Sequence, residues 1–349
     1  MMSNNSLRKV VSNVLLLLTF CSAAFSQNNE DVQIQEWLQK VKGRLTVAVR
    51  QYNGTALMKE SIFGKNELRA ADAYWKLYWS IAKVEGQPDA VDLLLKIKLE
   101  QGKASSTAIS CVFDFSNWNT QNYVLIPAGV YNGNRYRAIG NGYLPDYPRD
   151  MYYNPGVPLT ISNNPRLAVH AREVSALEMQ TANTATPAMC FYAPYMAKGF
   201  MLFTEQQTSL GTTGLSIREN AARDSCAFVV TAPSMRSMSA GFGDFRPSGD
   251  TAPDWTTGDE VTMRFRLLVF DAKNIPGLLQ KFLEVRKDIT GINHPRNLLP
   301  MSKVFEWGTA ICSDYHISLP IGSYYLPENS KDFQLGWISG MINTYPMLA

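Results

Sequence analysis

Between Tyr131 and Asp150 the sequence reads YNGNRYRAIGNGYLPDYPRD. Tyr131, Asn132, Asn134, Arg135, Tyr143, Asp146 and Arg149 put ring faces, amides, guanidinium groups and a carboxylate into one short segment. A sugar offers apolar CH faces and many hydroxyls. Sites for such ligands pair apolar walls with a few placed polar groups, and this segment supplies both. These residues are therefore candidates for binding an oligo- or polysaccharide. They also have a purely structural reading, because Asn-Gly and Gly-Asn pairs make turns and tyrosines clasp loops. MYYNPG (Met151–Gly156) continues the same chemistry. A later group holds Glu306, Trp307, Asp314, Tyr315, Asp332, Gln334 and Trp337, of which Trp337 is a further stacking candidate.

Cleavage of a glycosidic bond by water needs two carboxyl groups placed across it. A lyase instead needs a base for the proton beside a uronate carboxylate. Asp146, Asp150, Glu306, Asp314 and Asp332 supply carboxylates, but their spacing pairs none of them. Glu306 and Asp332 are the candidates for acid–base work, and each reads equally well as a surface or capping group. Other chemistries lack their residues. His170, His294 and His316 stand at no metal-binding spacing and near no paired cysteines, so no metal site is expected. There is no GxSxG elbow and no P-loop. GFGDFR (Gly241–Arg246) lacks the third glycine of a dinucleotide fingerprint and reads as part of a long turn-rich loop. No cofactor is expected.

Strands must position these groups. AVDLLLKIKLE (Ala90–Glu100) sends Val91, Leu93, Leu95, Ile97 and Leu99 to one face and Asp92, Lys96, Lys98 and Glu100 to the other. DEVTMRFRLLVF (Asp259–Phe270) and AYWKLYWSIAKV (Ala73–Val84) alternate in the same way, and YVLIPAGV (Tyr123–Val130) leads directly into the tyrosine-rich segment. Period-two runs bounded by turn residues, repeated from Gly43 to Asn274 without helices between them, predict a dozen or more strands in a large antiparallel sandwich. Asn29–Gly43 fits either a short helix or an edge strand. At Asn274 the period changes. Ile275, Leu278, Leu279, Phe282, Val285 and Ile289 lie on one helical face, with Asn274 to cap it, Pro276 in the first turn and Gly291 beyond the end. Ser302–Cys312 fits a second helix and the segment from Gly336 a third.

Met1–Ser26 has the form of a secretory signal: Arg8 and Lys9, then an apolar run over Val10–Phe20, then Ala24-Phe25-Ser26. Cleavage before Gln27 is expected. Phe20 is too bulky to precede a lipidated Cys21, so no lipid anchor is expected, and no later segment is apolar enough to span a bilayer. The formal net charge of +3 falls to +1 once Arg8 and Lys9 leave, and without basic runs nucleic acid is not an expected partner. Cys111, Cys190, Cys226 and Cys312 form no CxxC and are too sparse for a disulfide framework; Cys111, alternating with Ile109 and Phe113, reads as a small buried side chain. The chain closes on DFQLGWISGMINTYPMLA, an apolar stretch that reads as a domain cut through its core.

FDFSNWNTQNYVLIPAGVYNGNRYR (Phe113–Arg137) resembles exported bacterial carbohydrate-active proteins. These join a β-supersandwich, similar to galactose-mutarotase-like domains, to an (α/α)6 toroid of six-hairpin glycosidase type, and Asp332–Ala349 looks like an early hairpin of such a toroid. The resemblance implies a signal peptide (1–26), a β-sandwich (27–273), a helical linker (274–300) and the start of an incomplete α/α toroid (301–349). It also implies that the sandwich packs on the missing helical domain and lends a loop, Tyr131–Arg137, to its sugar site. Two functions follow as expectations. One is the N-terminal part of an exported, glycoside hydrolase-like protein, periplasmic or secreted. The other is a non-catalytic sugar-binding or structural module from a truncated or split gene. Either way the chain alone is expected to be inactive.

Overall fold

A computed structural model describes residues 30–70, 72–131, 167, 175–240, 245–291, 299–320 and 322–325. The chain forms two compact units, Met1–Arg286 and Lys287–Ala349, each described by itself.

The first unit is mostly β. It opens with helix α1 (Glu30–Leu38) and a 3-10 turn (Gln39–Val41), so the ambiguous opening segment is helical. Ile34, Leu38 and Val41 bury completely and bind this turn to the sandwich. Gln35 adds a polar clasp, its amide nitrogen donating to the Leu45 carbonyl at 2.6 Å while its oxygen accepts from the Leu45 N–H at 3.0 Å. Among the described residues Leu45 has no strand partner on that side, and the glutamine satisfies both backbone groups.

Strands β1 (Gly43–Asn53), β2 (Ala56–Ile62), β6 (Thr107–Ser116), β9 (Ser175–Gln180), β12 (Gly214–Glu219) and β13 (Ser225–Ala232) make one sheet in the order β9-β12-β13-β6-β1-β2. The other sheet holds β3 (Glu67–Ala70), β4 (Ala73–Val84), β5 (Gln87–Gln101), β7 (Tyr123–Ile126), β8 (Val130–Tyr131), β10 (Ala188–Ala193), β11 (Lys198–Thr204) and β14 (Glu260–Asp271). Its order is β3-β4-β5-β14-β11-β10-β7-β8, and the pairings are antiparallel. The large antiparallel sandwich expected from the alternation is therefore present. β14 joins halves that are distant in the chain, with Glu260 opposite Lys98 and Thr204 opposite Phe265.

Alternate residues of both sheets fill the space between them. Val261, Met263, Phe265, Leu267 and Val269 are buried, as are Trp75, Leu77 and Trp79. At the centre Phe115 meets Phe191 and Phe200 edge-on with ring centroids 4.9 Å apart, and Phe228 at 5.3 Å. These four rings come from both sheets and knit them together. Near one end, Glu219 is enclosed and takes hydrogen bonds from the Trp118 indole at 2.6 Å and the Ser175 hydroxyl at 2.5 Å, with Arg223 at 3.6 Å.

β10 and β11 do not alternate. All six residues of β10 are buried because this part of the sheet is covered on both faces. The outer cover is helix α2 (Ile275–Thr290), whose Leu278, Phe282 and Val285 close over Cys190, Met201, Phe203 and Leu268. Phe203 and Phe282 stack at 5.5 Å. Asn274 caps the helix, its side-chain oxygen accepting from the Gly277 N–H at 2.9 Å, and Gly291 ends it at φ +67°.

In the second unit, helix α3 (Met301–Asp314) matches the helix expected over Ser302–Cys312. A hairpin follows, pairing His316–Leu319 with Gly322–Tyr325, although no alternating run in the sequence announces it. Within the stretch expected to be loop, Phe245–Pro247 instead pairs as a short strand with Met238–Ala240. The signal segment and the third helix expected from Gly336 lie outside the described residues. Among the described residues, no helix is long and apolar enough to cross a membrane.

Candidate functional site

The outward face of the six-stranded sheet carries a trough of about 530 Å³. Strand register builds it in rows. Arg44 of β1 lies opposite Asp114 of β6, Asp114 opposite Ala227 of β13, Ala227 opposite Arg218 of β12, and Arg218 opposite Ala176 of β9. The next row runs Thr46, Val112, Val229, Ser216 and Glu178, and the third runs Ile62, Ala48, Ser110, Thr231 and Gly214. Beyond them Arg50 faces Glu60. Small residues such as Ala48, Ala176, Ala227 and Ser216 leave room above the floor, and long charged side chains rise at its ends. Because side chains alternate across a strand, the partners of this face (Leu45, Val47, Phe113, Phe228 and Ile217) are core.

Each charge has a distinct setting. Arg50 Nε donates to Glu60 at 2.5 Å. Glu178 accepts from both the N–H and the hydroxyl of Ser237, at 2.8 and 2.7 Å. Arg236, beside Ser237, makes a two-pronged pair with Asp250, both contacts at 2.9 Å. Asp250 also accepts from Ser234 at 3.1 Å and Gln180 at 3.0 Å, which ties the 234–250 segment to the edge strand β9. Asp114 keeps an exposed surface, yet the water it loses over the trough floor pushes its carboxyl above the ordinary range. Arg44 opposite it pulls the other way. Burial likewise raises the Tyr52 hydroxyl. The whole is a concave surface with apolar and hydroxyl floor groups, a phenol, carboxylates and guanidinium groups, which suits a ligand rich in hydroxyls.

Burial opposes ionisation of Asp250, but hydrogen bonds from the Arg236 side chain and backbone, the Arg236 charge and Ser234 outweigh it and hold the carboxyl below its usual 3.8. A folded-state value below the unfolded one means stability that is present above pH 3.8 and is lost as the pH falls through the lower, folded value. Thermal melts should therefore show Asp250→Asn less stable than the wild type at neutral pH. The gap should narrow once the pH drops below about 3.8. A gap that stays constant down to pH 2 would show that the pair contributes nothing through ionisation.

The residues expected to bind are placed as follows. Tyr131 ends β8 at the sheet edge, and Gly129, two residues earlier, packs so closely on Met179 of β9 that a Cβ there would lie 2.7 Å from the sulfur. Asn132, Asn134, Arg135, Tyr143, Asp146 and Arg149 lie outside the described residues, as do Asp150, Asp332 and Trp337. Glu306 is on α3, exposed and ion-paired to Lys303 at 2.9 Å, and Asp314 is the last residue of that helix. Among the described residues, no group of three or more His, Cys, Asp or Glu side chains could hold a metal. Cys111, Cys190 and Cys226 are buried, and burial pushes the Cys111 and Cys190 thiols far up in pKa.

No protein-family model matches this sequence, and no curated protein matches it either. Among solved structures it is similar to the Slr1438 protein from Synechocystis sp. PCC 6803, at 13% identity and a TM-score of 0.34, over 65% of this chain and 66% of that one. It is similar to a galactose mutarotase-like protein from Clostridium acetobutylicum at 8% identity and a TM-score of 0.32, over 67% and 80% of the two chains. It is also similar to the GH36 alpha-galactosidase AgaB from Geobacillus stearothermophilus at 8% identity and a TM-score of 0.30, over 69% of this chain and 29% of that one.

Proposed function

We propose that this chain is the sugar-binding β-sandwich part of an exported carbohydrate-active protein, and that the trough on its six-stranded sheet holds an oligo- or polysaccharide. The observation that supports this reading is the trough itself. Its volume lies within the range of small-molecule sites, and its lining mixes apolar floor with charged and hydroxyl groups. Export rests on the signal-like Met1–Ser26. Glu60 and Glu178 are already engaged by Arg50 and Ser237, which favours binding over bond cleavage at this surface.

The experiment measures binding of residues 27–349 to a panel of neutral and acidic polysaccharides, beside Ala227→Trp. Ala227 lies mid-row on the trough floor, and an indole there fills the space a ligand needs. A polysaccharide bound by the wild type should lose about tenfold or more of its affinity, the order expected when contacts to a few polar groups are lost. The variant's far-UV circular dichroism should stay unchanged. Equal binding by the folded variant removes the trough from the proposal, and no binding by the wild type across the panel overturns it.

A further inference from the structure

Of the trough's guanidinium groups, Arg218 differs in its neighbours. Arg50 has Glu60 across the strand pair, and Arg236 is held in the two-pronged contact with Asp250. Arg44 has Asp114 across from it. Arg218 has alanine on both sides, Ala227 on β13 and Ala176 on β9. Glu178 is its diagonal neighbour on this face, but the Glu178 carboxylate is turned to Ser237. Among the described residues, Arg218 forms no ion pair or hydrogen bond, and it is exposed to solvent. Cross-strand positions normally place opposite charges together, so a pair of alanines flanking the guanidinium leaves its forked donors without a partner among the described residues.

Resting on the proposed function, we infer that Arg218 is an anion subsite and that the trough selects acidic polysaccharides, a uronate carboxylate lying in the fork of Arg218. A guanidinium fork matches a carboxylate in two parallel hydrogen bonds, which neutral sugars cannot supply. Arg218 stands at one end of the trough and the Arg50–Glu60 pair at the other, three rows away. That is on the order of 20 Å along the strands, so an extended chain fits better than a single sugar.

The test compares polygalacturonate and alginate with their carboxyl-reduced counterparts, which keep the chain and lose the charge. Wild-type protein should bind at least one acidic polymer about tenfold or more tightly than its reduced form, as expected for a charge-assisted contact. Arg218→Gln should erase that difference and leave the reduced polymer's binding unchanged. Arg264→Gln, which removes an exposed charge from the opposite sheet, should leave the difference intact. Equal binding of the acidic and reduced polymers, or equal losses in the two variants, overturns the inference. If a neutral polysaccharide still binds and Ala227→Trp still abolishes it, the proposed function stands without the anion subsite. Failure of every polymer overturns both.

Discussion

Phe115→Ala is expected to destabilise the first unit by about 3–5 kcal/mol, the usual cost of emptying a buried aromatic site. Phe115 is 1% exposed and touches rings on both sheets, Phe191 and Phe200 from one and Phe228 from its own. The surrounding backbones are strands held in register, so they cannot collapse into the space. The large end of the range follows. Trp118, 6.4 Å away, would lose a ring contact as well. Urea denaturation of wild type and variant measures the difference. A loss below about 1 kcal/mol would mean that the rings repack around the void and that the sheets are not keyed together here.

Gly102→Ala is expected to cost a similar amount by a different route. Gly102 has φ +91°, where an L side chain is strained. A Cβ there would lie 1.9 Å from the carbonyl oxygen of Asp72, a backbone atom that cannot rotate away. The Gly102 carbonyl also accepts a hydrogen bond from Thr257 at 3.1 Å, so the bend is held from the other side too. Left-handed strain and the forced backbone shift together amount to roughly 2–5 kcal/mol. The same denaturation series measures it. Gly54→Ala is a control with positive φ but open space around the site, and it should lose only the strain. If both glycine variants lose the same amount, the close approach to Asp72 contributes nothing.

How far the sequence carries can be read from particular residues. The alternation of Leu93, Leu95 and Ile97 with Lys96 and Lys98 is a local signal, and β5 and β14 follow it. Asn274 and Gly291 announce the ends of α2 by the chemistry of helix termini. AMCFYA reads as an apolar strand run and forms β10, but no local signal shows that its outer face lies under α2. A continuous apolar run does not say what covers each side. The trough was not legible at all. Thr46, Arg50, Asp114, Ser216 and Arg218 are outward positions on three strands, and each reads alone as part of a solvated face. Register sets them side by side, and register depends on pairings between segments far apart in the chain. The tyrosine-rich segment from Tyr131, by contrast, is legible because its residues are contiguous.

The pairing of β14 between β5 and β11 sets a timetable for synthesis. Lys98 waits for Glu260, 162 residues further on (260 − 98). At translation rates of about 5–20 residues per second, that wait lasts roughly 10–30 s. Until then β5 can pair only with its hairpin partner β4, and its other edge is an unpaired ladder of Leu93, Leu95, Ile97 and Leu99. A free edge of this kind is a template for pairing with another chain. Lys96 and Lys98, alternating with those leucines, repel a second copy while the nascent chain grows. The charges on the outward face thus guard a strand that cannot be completed until the last strand of the sandwich has left the ribosome.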